Sequence, residues 1–205
     1  MTTTERVAGQ NREQFPDDGA VLLLAPSVGD AERDACTELL AHHDAASSRV
    51  VHVLYMESAI ERYRLIESQL PAHPAESAVV AVGAGGVVGE RGPDPPAEHY
   101  HVQRLTDPAD LTGLGMALSD ALGEWAAVGD VTLCFDSLSI LLQYADTERL
   151  FRFLHMLTNR LTELGASAHF HIDPAAHDEQ TVAQLAQAFD DQVRVDGDGD
   201  RIVEG

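Results

Sequence analysis

No lysine occurs anywhere in this sequence: the thirteen basic residues are all arginines and face 34 acids, for a formal net charge of −21. No basic stripe exists to follow a phosphate backbone, which argues against direct nucleic-acid binding. A chain so acidic repels itself in dilute buffer and stays soluble where concentrated salt shortens the Debye length to about 3 Å. We expect a cytoplasm of extreme salinity; an acidic surface that engages a basic partner is the rival explanation. Cysteine is scarce, with Cys36 and Cys134 alone, both in apolar contexts. That excludes a disulfide framework and zinc-finger spacing, and leaves reduced, buried thiols. Met1 to Phe15 lacks the apolar centre of a signal peptide, and no run approaches the ~18 residues that cross a bilayer. The expectation is a soluble, cytoplasmic protein with no membrane insertion. There is no internal repeat.

What is present is a repeated strand-then-helix pattern over 205 residues, 44% of them apolar. That length suits one well-buried α/β domain. Residues 1–18 read as a loose polar tail and 19–205 as the domain. Short apolar runs at Ala20–Ala25, Arg49–Tyr55, Ala78–Val82, His101–Leu105, Val131–Phe135 and Ser167–Ile172 read as strands. Helical periods run from Ala31 to His42, Glu57 to Leu70, Asp107 to Trp125, Asp146 to Leu164 and His177 to Phe189. The longest carries a stripe of Leu150, Leu154, Leu157, Leu161 and Leu164. Val87–Tyr100, rich in Gly and Pro, reads as a loop. Gln192–Val195 and Arg201–Val203 read as a terminal hairpin across Asp196-Gly-Asp-Gly-Asp200. Alternating β and α elements imply a mostly parallel sheet with helices on both faces, a three-layer α/β/α arrangement with a C-terminal antiparallel hairpin.

The stretch Val131-Thr-Leu-Cys-Phe-Asp-Ser-Leu-Ser-Ile-Leu-Leu-Gln-Tyr144 is a buried strand that ends in an acid. At the carboxyl end of a parallel strand, Asp136 would suit a hydrated Mg²⁺ beside a nucleotide. Alternatively it caps the following turn. Strand-Asp136-Ser137-Leu-Ser-x-Leu-Leu resembles the Walker B region of the KaiC/RecA-like P-loop ATPases. Val51-His-Val-Leu-Tyr-Met-Glu-Ser58 is similar to the strand that, in KaiC-type proteins, ends in two adjacent catalytic acids; here Met56 stands where one would be and Glu57 remains. Asp107-Pro-Ala-Asp-Leu-Thr-Gly-Leu-Gly115 and Asp173-Pro-Ala-Ala-His-Asp-Glu-Gln-Thr181 resemble segments of a KaiC-like group found in haloarchaea, whose members with broken Walker A loops are associated with signal transduction.

The resemblance implies a RecA-like sheet and a phosphate loop of the form G-x-x-x-x-G-K-S/T after the first strand. The matching stretch is Ala25-Pro-Ser-Val-Gly-Asp-Ala-Glu32. Gly29 takes the second glycine's place, Pro26 removes a backbone donor, and Asp30-Ala31 replace the Lys-Thr pair that holds phosphate and Mg²⁺. Ser27, Val28, Gly29, Asp30 and Ala31 thus form a vestigial loop with an acid facing the position of the triphosphate. We expect no catalysis and no cofactor, and a regulatory module that binds a protein partner or its own copy. The alternative is a divergent NTPase in which Asp136 holds a Mg-nucleotide and Glu57 activates water.

His169-Phe-His-Ile-Asp173 invites a third reading. Alternate strand residues share a face, so His169, His171 and Asp173 form a possible N/O metal set and a metal or small-ligand sensor. Pro174 breaks the H-x-H-x-D-H pattern, and the expectation is no metal there. Gly83-Ala-Gly-Gly86 lacks dinucleotide spacing and reads as a turn. The small residues of Leu111–Leu122 read as close packing in the core.

Overall fold

The computed structural model of the chain describes residues 19–27, 30–41, 47–55, 57–70, 72–83, 95, 100–126, 129–196 and 201–204. The expected tail, Val28 and Gly29, and most of the Gly/Pro-rich loop and of the 196–200 turn lie outside these residues. Eight strands form one sheet: β1 (Gly19–Leu24), β2 (Arg49–Tyr55), β3 (Glu76–Val82), β4 (Tyr100–Leu105), β5 (Val131–Asp136), β6 (Ser167–Ile172), β7 (Asp191–Val195) and β8 (Arg201–Glu204). Their order is β4-β3-β2-β5-β6-β1-β7-β8. All neighbours run parallel except β7 and β8, which form the expected antiparallel pair. The helices are α1 (Ala31–Leu40), α2 (Ala59–Gln69), α3 (Leu111–Trp125), α4 (Leu138–Leu141), α5 (Thr147–Leu164) and α6 (Glu179–Ala186).

Central strands of a parallel sheet are covered on both faces, and their sequences are apolar nearly throughout. One face packs under α3, α5 and α6. Leu22, Leu24, Val53, Phe135 and Phe170 point into it and meet Leu114, Leu118, Leu154, Leu161 and Leu185. Rings of Tyr55, Phe135 and Phe170 stack in series there, with centroids 6.1 and 5.3 Å apart, and Phe189 meets Phe170 at a tilt with centroids 5.0 Å apart. The other face packs under α1 and α2 and divides into smaller apolar groups. Between those groups the strands place His52, Cys134, His169 and His171, all buried.

Capping chemistry sets the helix limits. The Asp146 carboxylate accepts from the Arg149 N–H at 2.8 Å to begin α5, and Gly165 ends it in the left-handed conformation (φ 63°). The helix expected from Glu57 starts two residues later because Ser58 and Glu61 form a capping box. Likewise α6 starts at Glu179 because Asp178 caps it, and α4 is an extra short helix capped by Ser137. Of the small residues of α3, Ala117 is buried in the core, Gly115 would place a Cβ in ordinary contact with the Phe153 ring at 3.6 Å, Gly113 lies against its cap Asp110, and Ser119 is exposed. No described helix is long and apolar enough to cross a membrane.

Leu154 is fully buried beneath α5 while Met156 of the same helix is 67% exposed. Leu154→Ala should cost about 2–5 kcal/mol and Met156→Ala within about 0.5 kcal/mol, read from urea unfolding in molar KCl. Equal losses would mean that the leucine stripe does not anchor α5.

Candidate functional site

The carboxyl ends of β1, β2, β5 and β6 open onto a cavity of about 630 Å³. Its walls hold Ser27, Glu32, Tyr55, Glu57, Arg62 and Asp136, and its floor reaches Cys36 and His171. This is where open parallel sheets bind ligands. Two sequence-singled acids, Glu57 after β2 and Asp136 at the end of β5, meet here through a residue that sequence reasoning passed over. Arg62, on the first turns of α2 and 3% exposed, sends Nη2 to Asp136 Oδ2 at 2.6 Å and Nε to Glu57 Oε2 at 2.9 Å. Its position four residues beyond the Ser58 cap points it back under the strand ends, along the N-terminal lean of helical side chains.

Electrostatics follow from this geometry. Burial disfavours the Arg62 charge, but Cys134, Glu57, Cys36 and Asp136 outweigh it, and the guanidinium stays protonated. Burial raises the Glu57 carboxyl, Asp136 adds to the rise, and Arg62 opposes both. Asp136 therefore serves an ion pair, and Ser137, not Asp136, caps the turn that follows, accepting from the Ile140 N–H at 3.4 Å.

Beneath the guanidinium lies a layer of sulfur and imidazole. Arg62 Nη1 stands 3.6 Å from Cys36 Sγ and 3.9 Å from Cys134 Sγ. The sulfurs are 3.6 Å apart, His169 Nε2 is 3.3 Å from Cys36 Sγ, and His171 Nε2 is 3.7 Å from Cys134 Sγ. His171 Nδ1 meets Glu32 Oε1 at 2.7 Å. The hydrogen bond with Cys134 lowers the Cys36 thiol well below its ordinary value, against burial and with help from both histidines; the same bond and burial raise Cys134. Burial works against a charged His171, yet the Cys36 thiolate and Glu32 lift it to about 10. His169 is lowered, by burial first, and His52 is pushed down to about 3 by burial and then Arg62. His52, opposite Cys134 in the β2–β5 register, has no hydrogen-bond partner at either nitrogen.

Of the three residues weighed as a metal set, His169 and His171 share a face, but Asp173 serves elsewhere. Its Oδ2 accepts from the Ser27 N–H at 3.0 Å and from the Ser27 hydroxyl at 2.9 Å, and its Oδ1 accepts from the Ala175 N–H at 2.9 Å. A carboxylate of the chain itself thus occupies the backbone donor of Ser27, just after β1. Asp30 is exposed and pairs with Arg33 at 3.0 Å, and Ala31 begins α1.

A mostly parallel eight-stranded sheet, with β6 between β1 and β5 and a cleft at the carboxyl ends, defines a RecA-like α/β protein. The profile of the family of unknown function DUF7504 matches residues 19–195, and the chain belongs to that family. Among solved structures the chain is similar to the PH0250 protein of Pyrococcus horikoshii OT3, at 13% identity and a TM-score of 0.55, over 90% of this chain and 85% of that one. It also matches the flagellar accessory protein FlaH of Methanocaldococcus jannaschii, at 10% identity and a TM-score of 0.45, over 86% of this chain and 70% of that one. No curated protein matches by sequence.

Arg62→Ala would leave two largely buried carboxylates facing each other, at a cost of about 3–5 kcal/mol near neutral pH. Burial already raises the Glu57 carboxyl and Arg62 opposes that rise; without Arg62 its folded value stands further above the unfolded one, so the loss should shrink as pH falls toward about 5. A loss independent of pH in urea unfolding would rule out the ion pair as its source. Asp173 carries the opposite sign. Burial tends to raise it, but the bonds from Ser27 and Ala175 hold it below its usual value. Its contribution is therefore present above about pH 3.9 and lost as pH falls through the lower folded value. Asp173→Asn should flatten that acid limb.

Proposed function

We propose that this protein is a non-catalytic RecA-like pseudo-ATPase that works as a regulatory, protein-interacting module in a high-salt cytoplasm. The observation that carries this reading is Arg62 bridging Glu57 and Asp136. In an active site of this kind those acids would face a hydrated Mg²⁺ and an attacking water. Here a guanidinium fixed on α2 pairs with one oxygen of each acid and offsets the negative charge that a Mg²⁺ or an attacking water would use.

The phosphate side agrees. The chain has no lysine to reach a terminal phosphate, and Asp173 already holds the Ser27 N–H. A triphosphate entering the cavity would meet Glu32, Glu57, Glu61 and Asp136, with the nearby cations engaged. Like charges at about 4 Å repel by several kcal/mol at the effective dielectric of a protein surface. The residues present do not fit a Mg-nucleotide. What remains usable is surface. The charge of −21 suits a salt-adapted protein, and Met116 of α3 and Met156 of α5 expose apolar side chains on the helical layer opposite the α1/α2 face. A protein partner or a second copy of the chain fits there.

Calorimetry with MgATP in molar KCl should detect no binding in the micromolar range. Micromolar binding abolished by Asp136→Ala would overturn the reading in favour of a divergent NTPase.

A further inference from the structure

The sulfur–imidazole layer is not accounted for by a silent nucleotide cleft. We propose that Cys36, Cys134, His169 and His171 bind a tetrahedral Zn²⁺ ion. All four side chains are buried, and one donor atom from each lies within 4.8 Å of every other. Tetrahedral zinc with Zn–S of about 2.3 Å and Zn–N of about 2.0–2.1 Å sets ligand-to-ligand edges of roughly 3.3–3.8 Å. The observed separations of 3.6 Å (Sγ to Sγ), 3.3 Å (Cys36 to His169) and 3.7 Å (Cys134 to His171) fall in that interval. Two thiolates and two imidazoles select zinc over hard, oxygen-seeking cations.

The surroundings are those of a metal centre. Glu32 accepts from Nδ1–H of His171 at 2.7 Å, which orients the ring and presents Nε2 to the ion, as outer carboxylates do for zinc-bound histidines. Arg62 Nη1 lies beside both sulfurs, where it tempers thiolate charge. The cavity reaches Cys36 and His171, which gives the ion a way in. Without an ion the four groups satisfy one another only through long sulfur contacts, weak partners for buried imidazoles. The ion ties α1 to β5 and β6. The inference does not rest on the loss of nucleotide binding and stands if ATP binds.

The test uses the full chain, expressed with zinc, purified with reductant in molar KCl and without a metal-affinity step. Elemental analysis should find one zinc per chain. After chelation, Co²⁺ titration should produce the intense visible bands of tetrahedral cobalt together with a thiolate-to-cobalt charge-transfer band. Cys134→Ser should abolish the charge-transfer pattern of the two-sulfur site. Because a core cysteine variant risks misfolding, Glu32→Gln at the cavity wall provides a second arm, with affinity weakened about 10–100-fold. The proposal fails if reduced wild-type protein binds neither zinc nor cobalt. It also fails if cobalt binds without a thiolate band, which would place the ion on Glu32, Asp136 and His171 at the cavity wall. Thiols that titrate only after reduction would assign the pair to a disulfide instead and equally overturn it.

Discussion

One guanidinium organises the interior of this protein. Arg62 sits where α2 crosses the carboxyl ends of β2 and β5, with carboxylates above it and sulfurs below. A buried charge is costly unless it is paired and hydrogen-bonded. Arg suits the place because its flat fork holds several partners at once, which an ammonium does not. Removing any one partner changes the field at all the others, so the two acids, the thiols and the histidines behave as a coupled unit.

The elements around the cleft are held in place by packing that does not involve the cleft itself. The strand ends and helix starts keep these places because the apolar faces of β1, β5 and β6 need α1, α3 and α5 to cover them. Nothing in that packing requires the loop to carry lysine. Asp173 accepts from the Ser27 amide, and Arg62 pairs with Asp136 and Glu57. These polar groups at the strand ends therefore bond to one another.

Much of the architecture was legible along the chain. The β-then-α rhythm, the leucine stripe of α5 and the terminal antiparallel pair follow from periods of 2 and 3.6 residues and from turn residues. Boundaries moved by two residues where Ser58 and Asp178 took capping roles that periodicity does not register. Asp136, Glu57, Ser27 and His171 were singled out from local pattern and do line one cavity. Arg62 was missed because an arginine on an amphipathic, charged helix normally points to water. A usable signal existed: it is the residue of α2 that the helical period sets on the face of Ala59 and Ile66, both buried.

Sequence alone therefore determined the class of fold, because burial of alternating and helical apolar positions has few solutions in an α/β chain. It also determined the acidity and the lack of lysine, which are matters of composition. Only the tertiary structure decided that Cys36 meets Cys134 across 98 residues of chain, and that this pair joins His169 and His171 while Asp173 turns to Ser27. Those meetings depend on the register of β5 against β6 and on how α1 lies across them. Strand register is a long-range property, set by the whole sheet, and no local spacing encodes it.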